Sequence, residues 1–449
     1  MQLIYGVKDK PKFHQMIIFA LQQLLAILAA TITVPMIVGN GMSVSAALFG
    51  AGAGTIIYQL FTKFKSPAFL GSSFAFIGSM VAAFAGAGSF VALGYVGLIL
   101  GAIFAGLVYV LIAIVVKLVG VKWINKLMPA VVIGSTVALI GLSLAGAAVK
   151  DVFSYGPVDA NGSFVMGANA WVSMICAMVT LIVVIISSVY GKKLLKLIPF
   201  IVGILAGYVV AVIFTVIGLK TGNPDLVLID FSLFSNLQIF AVPEFTFITA
   251  AQAISKLDAN YIATIAVAYV PVAFVVFAEH IADHKNLSSI IEQDLLDDPG
   301  LSRTLLGDGV GSIVGSIFGG CPNTTYGESV GCVAITKNAS VVTITTTAIM
   351  AMLISFISPF VAFLDSIPGC VMGGVCITLY GFIAVSGLKM LQKVDFEDNG
   401  NLFTASTILI SGVGGMAIVI GKVTLTAVAC SLILGIIVNL VVNIKKKAN

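Results

Sequence analysis

The stretch Gly319–Ser329, GGCPNTTYGES, breaks a long apolar region with Pro322, Asn323 and a run of polar residues. This composition suits an extended piece of chain better than a continuous helix. A second break is Leu70–Phe76, LGSSFAF, which follows a Ser-Pro pair. Each stretch predicts a short irregular piece within an otherwise apolar segment, although two merely kinked helices remain the alternative.

The chain around these breaks has the composition of a membrane protein. Of its 449 residues, 59% are hydrophobic and 9% are charged, whereas about 25% are charged in an ordinary soluble domain. These values exclude a soluble globular protein, and also a disordered, collagen-like or coiled-coil chain. At roughly 20 apolar residues per membrane-crossing helix, the hydrophobic residues suffice for about 13 spans.

Charged residues mark the limits of the spans, because a charge at mid-bilayer is costly. The intervals between them predict seven spans up to residue 220 and seven after residue 258. The predicted later spans are 259–284, 302–319, 322–336, 338–364, 366–388, 399–421 and 423–444. The two broken stretches are then the third segment of each half.

An odd number of spans per half gives the two halves opposite orientations, which is the geometry of an inverted repeat and is common in secondary transporters. The predicted fold is an all-α polytopic membrane protein with 14 transmembrane segments as two inverted seven-segment repeats. Short extended strands occupy the broken third and tenth segments. Irregular backbone at membrane depth must be satisfied by protein or water, so these strands should face each other, with half-helix N-termini aimed between them.

The basic residues test this count, because cytoplasmic loops hold the excess of Lys and Arg. With the N-terminus inside, all but four of the 23 Lys and Arg residues fall on the inner side. The exceptions are Lys150, Lys220, Lys256 and Lys422. We therefore expect a multi-pass protein of the cell (inner) membrane with both termini in the cytoplasm.

Two glutamates in apolar surroundings are candidate functional groups, since an ionisable residue at membrane depth is by default functional. Glu279 follows a long uncharged stretch in a span that also contains Pro271, and Glu328 ends the polar run in the second break. The alternative for Glu279 is a position near a helix end, where the carboxylate would reach water.

Two aspartates are further candidates. Asp283 lies one helical turn after Glu279 on the same face, so the two carboxyl groups could exchange or share a proton. Asp308 could be functional or merely interfacial. His280 and His284 point elsewhere on the Glu279 helix, and we interpret them as structural or solvated.

Other chemistries find little support in the sequence. The net charge is only +4 and the Lys residues form short clusters, so nucleic acid is not an expected partner. The six Cys residues show no CxxC spacing and are predicted to be buried thiols. HExxH, GxSxG and His/Cys ligand clusters are missing, so we expect no metal, no cofactor and no enzyme.

Several motifs resemble the nucleobase-ascorbate transporter family, also called nucleobase:cation symporters, and in particular its bacterial uracil permeases. The resemblance runs almost end to end. It rests on LQQLLAILAATITVP from Leu21, FLGSSFAF at 69–76, AEH at 278–280, DPGLSR at 298–303 and, most specifically, PNTTYGE at 322–328.

The resemblance implies a core domain of spans one to four and eight to eleven, and a gate domain that also makes a homodimer contact. In this chain the core domain would comprise residues 1–120 and 259–365. The gate domain would comprise residues 121–220 and 366–449, and an extracytoplasmic loop would cover 221–258.

The family's substrate-binding positions, carried over by the resemblance, are Glu279, Glu328, Phe74, Gly327 and Tyr326. Uracil offers two N–H donors and two carbonyl acceptors, so carboxylate acceptors and backbone N–H donors complement it. The flat ring can stack on Phe74.

Two features depart from the uracil pattern. Asp283 stands where uracil members carry a histidine, and Asp308 stands where purine members tend to carry an aspartate. Both features favour a xanthine or urate symporter. Glu328 favours uracil instead, because purine relatives typically have glutamine at its position. Uracil therefore remains the first expectation.

The expected mechanism is proton symport with alternating access at a midplane site. Glu279, Asp283 and Asp308 are the proton-coupling candidates, although the sequence leaves H⁺ or Na⁺ open. Two further classes are an anion transporter or channel of the same architecture, which two acids in the site disfavour, and a membrane-embedded enzyme.

Overall fold

The computed structural model describes residues 3–120, 122–154, 156–192, 194–235, 237–420 and 423–443. Five of the basic residues used to orient the chain lie outside these ranges, namely Lys193, Lys422, Lys445, Lys446 and Lys447.

The described chain is mainly helical, as its apolar segments require. The helices up to residue 221 are α1 (Phe13–Val38), α2 (Val44–Phe61), α3 (Ile77–Ala87), α4 (Val91–Val119), α5 (Lys122–Leu127), α6 (Ala130–Ser143), α7 (Ala145–Val152), α8 (Ala168–Tyr190), α9 (Leu194–Leu197) and α10 (Pro199–Thr221). Those that follow are α11 (Thr246–Ala251), α12 (Ala259–Ile291), α13 (Leu301–Gly319), α14 (Gly327–Thr336), α15 (Val341–Ile354), α16 (Ser358–Asp365), α17 (Gly369–Leu391), α18 (Asn399–Val413) and α19 (Ala427–Val442).

Eight of the described helical segments are long and apolar enough to cross a membrane. They are α1, α2, α4, the pair α6 and α7 together, α8, α10, α12 and α17, while α3, α15 and α19 are apolar but shorter. The count of 14 segments therefore stays a prediction.

Several helices begin or end away from the predicted span limits. Helix α12 runs to Ile291, beyond the expected end near residue 284. The span expected at 338–364 consists of two helices, α15 and α16, separated by a break after Ile354 where Ile357 bridges to Phe240. The span expected at 399–421 ends at Val413.

The sequence also missed a hairpin. Strand β3 (Ile418–Ile420) pairs antiparallel with β4 (Val423–Leu425) just before α19. Its residues are apolar, so hydropathy alone could not separate them from the neighbouring helices.

The two breaks in the sequence form strands β1 (Leu70–Ser72) and β2 (Asn323–Thr325), as expected. They pair antiparallel, with Leu70 opposite Thr325. Thr55 of α2 secures β1, since its hydroxyl accepts from the Leu70 N–H at 2.9 Å. Asn323 secures β2 by donating to the Gly50 carbonyl at 2.9 Å. The extended backbone is thus satisfied by other parts of the protein, as expected for irregular backbone within a membrane.

The helices form two bundles. The first bundle contains α1–α4 and α12–α15 with strands β1 and β2, and the second contains α6–α8, α10 and α17–α19. Small residues allow close helix contacts in both, because backbones can approach where no side chain intervenes. A Cβ atom on Gly50 would lie 2.5 Å from the Gly315 carbonyl in the first bundle, and a Cβ on Gly141 would overlap the Tyr380 carbonyl in the second.

The segment 221–258 folds onto both bundles. The Thr215 hydroxyl of α10 accepts from the Leu228 N–H at 3.1 Å, and the Ala241 N–H donates to the Phe356 carbonyl at 3.0 Å. Phe245 packs edge to face on Phe49 of α2, with ring centroids 5.0 Å apart. The described parts of the predicted loop 221–258 therefore pack against the helices. Its position outside the membrane stays a prediction.

Candidate functional site

A cavity of about 340 Å³ lies between the two bundles. The first bundle contributes Phe74, Ala75, Glu279, Ala282, Asp283, Thr324, Thr325, Tyr326, Gly327 and Glu328 to its wall. The second bundle contributes Val137, Ile140, Phe200, Leu379, Phe382, Ile383, Ser386 and Met390. One wall is thus polar and acidic, and the opposite wall is apolar apart from Ser386.

Three carboxylates face this cavity. Glu279 and Asp283 lie one turn apart on α12, and Glu328 lies in the first turn of α14. The Glu279 carboxylate is within electrostatic range of the other two. None of the described lining residues is Lys, Arg or His, so no cationic side chain in the described part of the wall balances these acids.

Helix α14 begins at the cavity, because β2 ends at Thr325 and Tyr326 is still extended, with φ −104° and ψ 120°. The first N–H groups of a helix lack intrahelical acceptors. That of Gly327 is therefore available to a ligand carbonyl, and the helix dipole also favours the nearby Glu328 carboxylate. The Gln23 amide of α1 steadies this turn by donating to the Ser329 hydroxyl at 2.5 Å.

The Tyr326 side chain holds strands β1 and β2 together. Its ring covers Gly71, where a Cβ atom would overlap it, and its hydroxyl donates to the Ser72 carbonyl at 2.8 Å. The side chain is only 4% exposed. Tyr326 therefore contributes its backbone and ring edge to the cavity, while its hydroxyl is used within the fold.

Phe74 follows β1 directly and offers an aromatic ring to the cavity. The ring lies edge to face with Tyr380 of α17, with centroids 6.0 Å apart at an interplanar angle of 77°. This contact joins the two bundles and orients the Phe74 ring, leaving it half-buried.

Asp308 is not part of the cavity wall. It is 0% exposed in α13, and its Oδ2 lies 2.7 Å from His280 Nδ1. The interfacial alternative for Asp308 is therefore wrong. A solvated interpretation of the histidines is also wrong, because His280 and His284 are 0% and 1% exposed and have hydrogen-bond partners.

Sequence reasoning missed the apolar wall. Phe200, Phe382 and Met390 line the cavity, but an apolar residue in an apolar span carries no signal that separates lining from packing. The Ser386 hydroxyl within the mostly apolar helix α17 is a weak signal that could have marked this helix.

Metal and cysteine chemistry add nothing to this site. Among the described residues, no group of three or more His, Cys, Asp or Glu side chains has an arrangement that could hold a metal ion. All six Cys residues are buried and free, which confirms the prediction of buried thiols.

The sequence matches known transporters along nearly its whole length. Residues 14–421 match the model of a family described as "Permease family". The uracil permease of Bacillus subtilis is 40% identical, over 97% of this chain and 94% of that protein. The uracil permease of Escherichia coli is 35% identical, over 97% of this chain and 93% of that protein. These relatives are permeases, that is, transporters and not enzymes.

Solved structures share the fold at low identity. The transmembrane domain of a cyanobacterial bicarbonate transporter, BicA, superimposes with a TM-score of 0.62 at 15% identity, over 96% of this chain and 99% of that one. The murine anion transporter Slc26a9 gives 0.64 at 12% identity, over 98% of this chain and 69% of that one. Both support a helical multi-pass membrane fold. The family match and the uracil permease relatives establish that the chain belongs to the nucleobase transporter group of the permease family, of the uracil permease type.

Proposed function

We propose that this protein takes up uracil by proton symport, using the cavity between the bundles as an alternating-access site. The relatives named uracil permeases support the substrate. The observation that carries the proposal is one cavity wall that combines the Glu279 and Glu328 carboxylates, the N-terminus of α14 and the Phe74 ring.

This wall complements uracil group by group. The two carboxylates accept the ring N–H groups, and the backbone N–H groups of Phe74 and Gly327 donate to the ring carbonyls. Phe74 stacks on the flat ring. Tyr326 fixes the spacing between the two strands that hold these donors.

Protons are the coupling ions that fit a neutral substrate in an acidic cavity. Three carboxylates repel one another where no described residue of the wall is cationic, so loading a neutral nucleobase is easier when a proton accompanies it. Glu279 and Asp283 share a face of α12, and Asp308 lies behind them. We propose these three residues as the proton-coupling groups.

Transport would require the two bundles to move against each other, which exposes the cavity to each side in turn. The first bundle, in residues 1–120 and 259–365, acts as the core domain. The second, in residues 121–220 and 366–449, acts as the gate domain and forms a homodimer. The 14 segments form two inverted repeats in the cell (inner) membrane, with both termini cytoplasmic and 221–258 outside.

A xanthine or urate symporter is the second candidate. It is favoured by Asp283, which lines the cavity at the position where uracil members carry a histidine. Competition separates the two: excess unlabelled xanthine should leave uptake of labelled uracil unchanged if uracil is the substrate. An anion transporter of this fold is disfavoured, because the acidic wall would repel its substrate.

Uptake of labelled uracil by proteoliposomes across a range of pH tests the proposal. A Glu279→Gln variant should lose the stimulation by an inside-alkaline pH gradient. Gradient-stimulated uptake at the wild-type rate in this variant would contradict the role of Glu279. A panel of uracil, thymine, xanthine and urate in thermal unfolding of the purified protein identifies the ligand independently, because a ligand bound only to the folded state stabilises it.

A further inference from the structure

Residues 4–9, here called the lead segment, lie along the chain that joins α14 to α15. Tyr5 pairs with Asn338 in a parallel bridge. The Tyr5 N–H donates to the Lys337 carbonyl at 3.3 Å, and the Ala339 N–H donates to the Tyr5 carbonyl at 2.9 Å. The lead segment is thus hydrogen-bonded to the turn that ends α14, although the two are far apart in sequence.

Side chains strengthen this contact. The Val7 side chain is only 5% exposed and belongs to one apolar cluster with Val330 and Val333 of α14. The Ser340 hydroxyl, just beyond the turn, donates to the Asp9 carbonyl at 2.6 Å. The C-terminal end of α14 is therefore held to the lead segment by apolar packing as well as by backbone hydrogen bonds.

The Tyr5 side chain connects the lead segment to α1. Its hydroxyl donates to Gln15 Oε1 at 2.7 Å, and its ring lies edge to face with Phe19, with centroids 6.0 Å apart. Gln15, Phe19 and Gln23 follow one another at a spacing of four residues, so they lie on one side of α1. Gln23 is the residue that donates to the Ser329 hydroxyl in the first turn of α14. One side of α1 therefore holds α14 at both ends, directly through Gln23 and indirectly through Tyr5.

Helix α14 depends on such contacts because it is short. A helix of ten residues takes its stability mainly from packing against other elements. Its first turn carries the Gly327 N–H and the Glu328 carboxylate at the cavity, and the lead segment contacts its other end, about 15 Å away at 1.5 Å per residue. Because a helix moves as a unit, a shift of the far end also moves Glu328.

We propose that Tyr5 is a positioning residue for the substrate site, which fixes the lead segment between α1 and the end of α14 and so holds Gly327 and Glu328 at the cavity wall. This inference rests on the uracil binding proposed above. Residues 4–9 are not among the described residues that line the cavity. They act on binding only through the elements that they contact, and α14 is the one that carries Glu328.

A Tyr5→Ala variant tests this role by titration calorimetry of the purified protein with uracil. The substitution removes the contacts with Gln15 and Phe19 and keeps the backbone hydrogen bonds. We expect Kd to rise roughly three- to tenfold, since α14 is then held less firmly. Ile4→Ala is the matched control, because the Ile4 N–H also donates to the Lys337 carbonyl while its side chain is 60% exposed. This control should keep the wild-type Kd.

Double-mutant cycles separate positioning from a general loosening of the fold. If Tyr5 acts through α14, its effect on Kd should shrink in a Glu328→Gln background. The effect should persist in a Glu279→Gln background, because Glu279 lies on α12. Tyr5 is a sharper probe here than Val7, which also clusters with Leu287 of α12. Equal effects in the two backgrounds, or no change of Kd in Tyr5→Ala, would overturn the proposal.

Tyr5→Phe covers the case in which Tyr5→Ala does not fold. It keeps the ring contact with Phe19 and loses only the hydrogen bond to Gln15, so we expect a smaller rise in Kd with the same dependence on Glu328. If only this variant folds, a wild-type Kd in it rejects the positioning role. A wild-type protein that does not bind uracil would instead refute the proposed function, and this inference with it.

Discussion

The Thr325 hydroxyl donates a 2.8 Å hydrogen bond to Asp283, and this bond ties strand β2 to helix α12 at the edge of the cavity. It turns one Asp283 oxygen toward the strand. Glu279, one turn earlier, is left as the α12 carboxylate most available to a ligand.

A Thr325→Val variant should therefore be less stable than the wild type, by about 1–3 kcal/mol, because a partly buried carboxylate oxygen loses its donor. Thermal unfolding of the purified protein measures this. Thr324→Val is the control, since Thr324 also lines the cavity but its side chain has no hydrogen bond among the described residues. Equal stability of the two variants would contradict the importance of the Asp283 bond.

Glu328→Gln should weaken uracil binding by about 1.5–3 kcal/mol, since a charge-assisted hydrogen bond becomes a neutral one. This corresponds to roughly a tenfold to hundredfold rise in Kd, which titration calorimetry can measure. Glu397→Gln, at an exposed position outside the cavity wall, should leave Kd unchanged. An unaltered Kd for Glu328→Gln would remove this residue from the site.

Gly71→Ala should disturb the strand pair, because the added methyl group would overlap the Tyr326 ring. Overpacking of this kind costs about 1–3 kcal/mol, and the displaced Tyr326 would also loosen the start of α14. The readouts are the melting temperature and the Kd for uracil. Gly78→Ala in α3 meets no atom within 4 Å and should behave as wild type.

Lys65→Ala should have little effect, although the ammonium group lies 2.6 Å from Asp298. The two side chains are 38% and 67% exposed, and an exposed ion pair contributes about 0–1 kcal/mol. The melting temperature should shift slightly, and the shift should shrink further in high salt. A large loss of stability would mean that this pair holds α2 to the chain before α13 more firmly than its exposure implies.

The backbone breaks were predictable because Pro322 and the glycines around both stretches disfavour a continuous helix. Six of the seven candidate site residues, namely Phe74, Glu279, Asp283, Tyr326, Gly327 and Glu328, line one cavity in the structure, whereas Asp308 does not. Their roles in binding and coupling stay predictions.

The burial of individual polar side chains was harder to predict than which residues line the cavity. Asp308 is enclosed because α4 and α13 meet closely at Gly106 and Gly309, and a contact between helices distant in sequence cannot be inferred from one sequence alone. The same holds for His280, whose partner Asp308 lies on another helix. The extension of α12 to Ile291 was missed because its last turns are polar and carry no membrane signal.

The pairing of β1 with β2 also sets the order in which the site can assemble. Leu70 pairs with Thr325, which the ribosome adds roughly 250 residues later. At ordinary rates of synthesis this takes about 10–50 s. During that interval the β1 backbone has no partner strand, so water or another segment must satisfy it. A nascent chain released just before residue 323 would contain Phe74, Glu279 and Asp283 but neither Glu328 nor the start of α14, so we expect nucleobase recognition to begin only after both halves have been inserted.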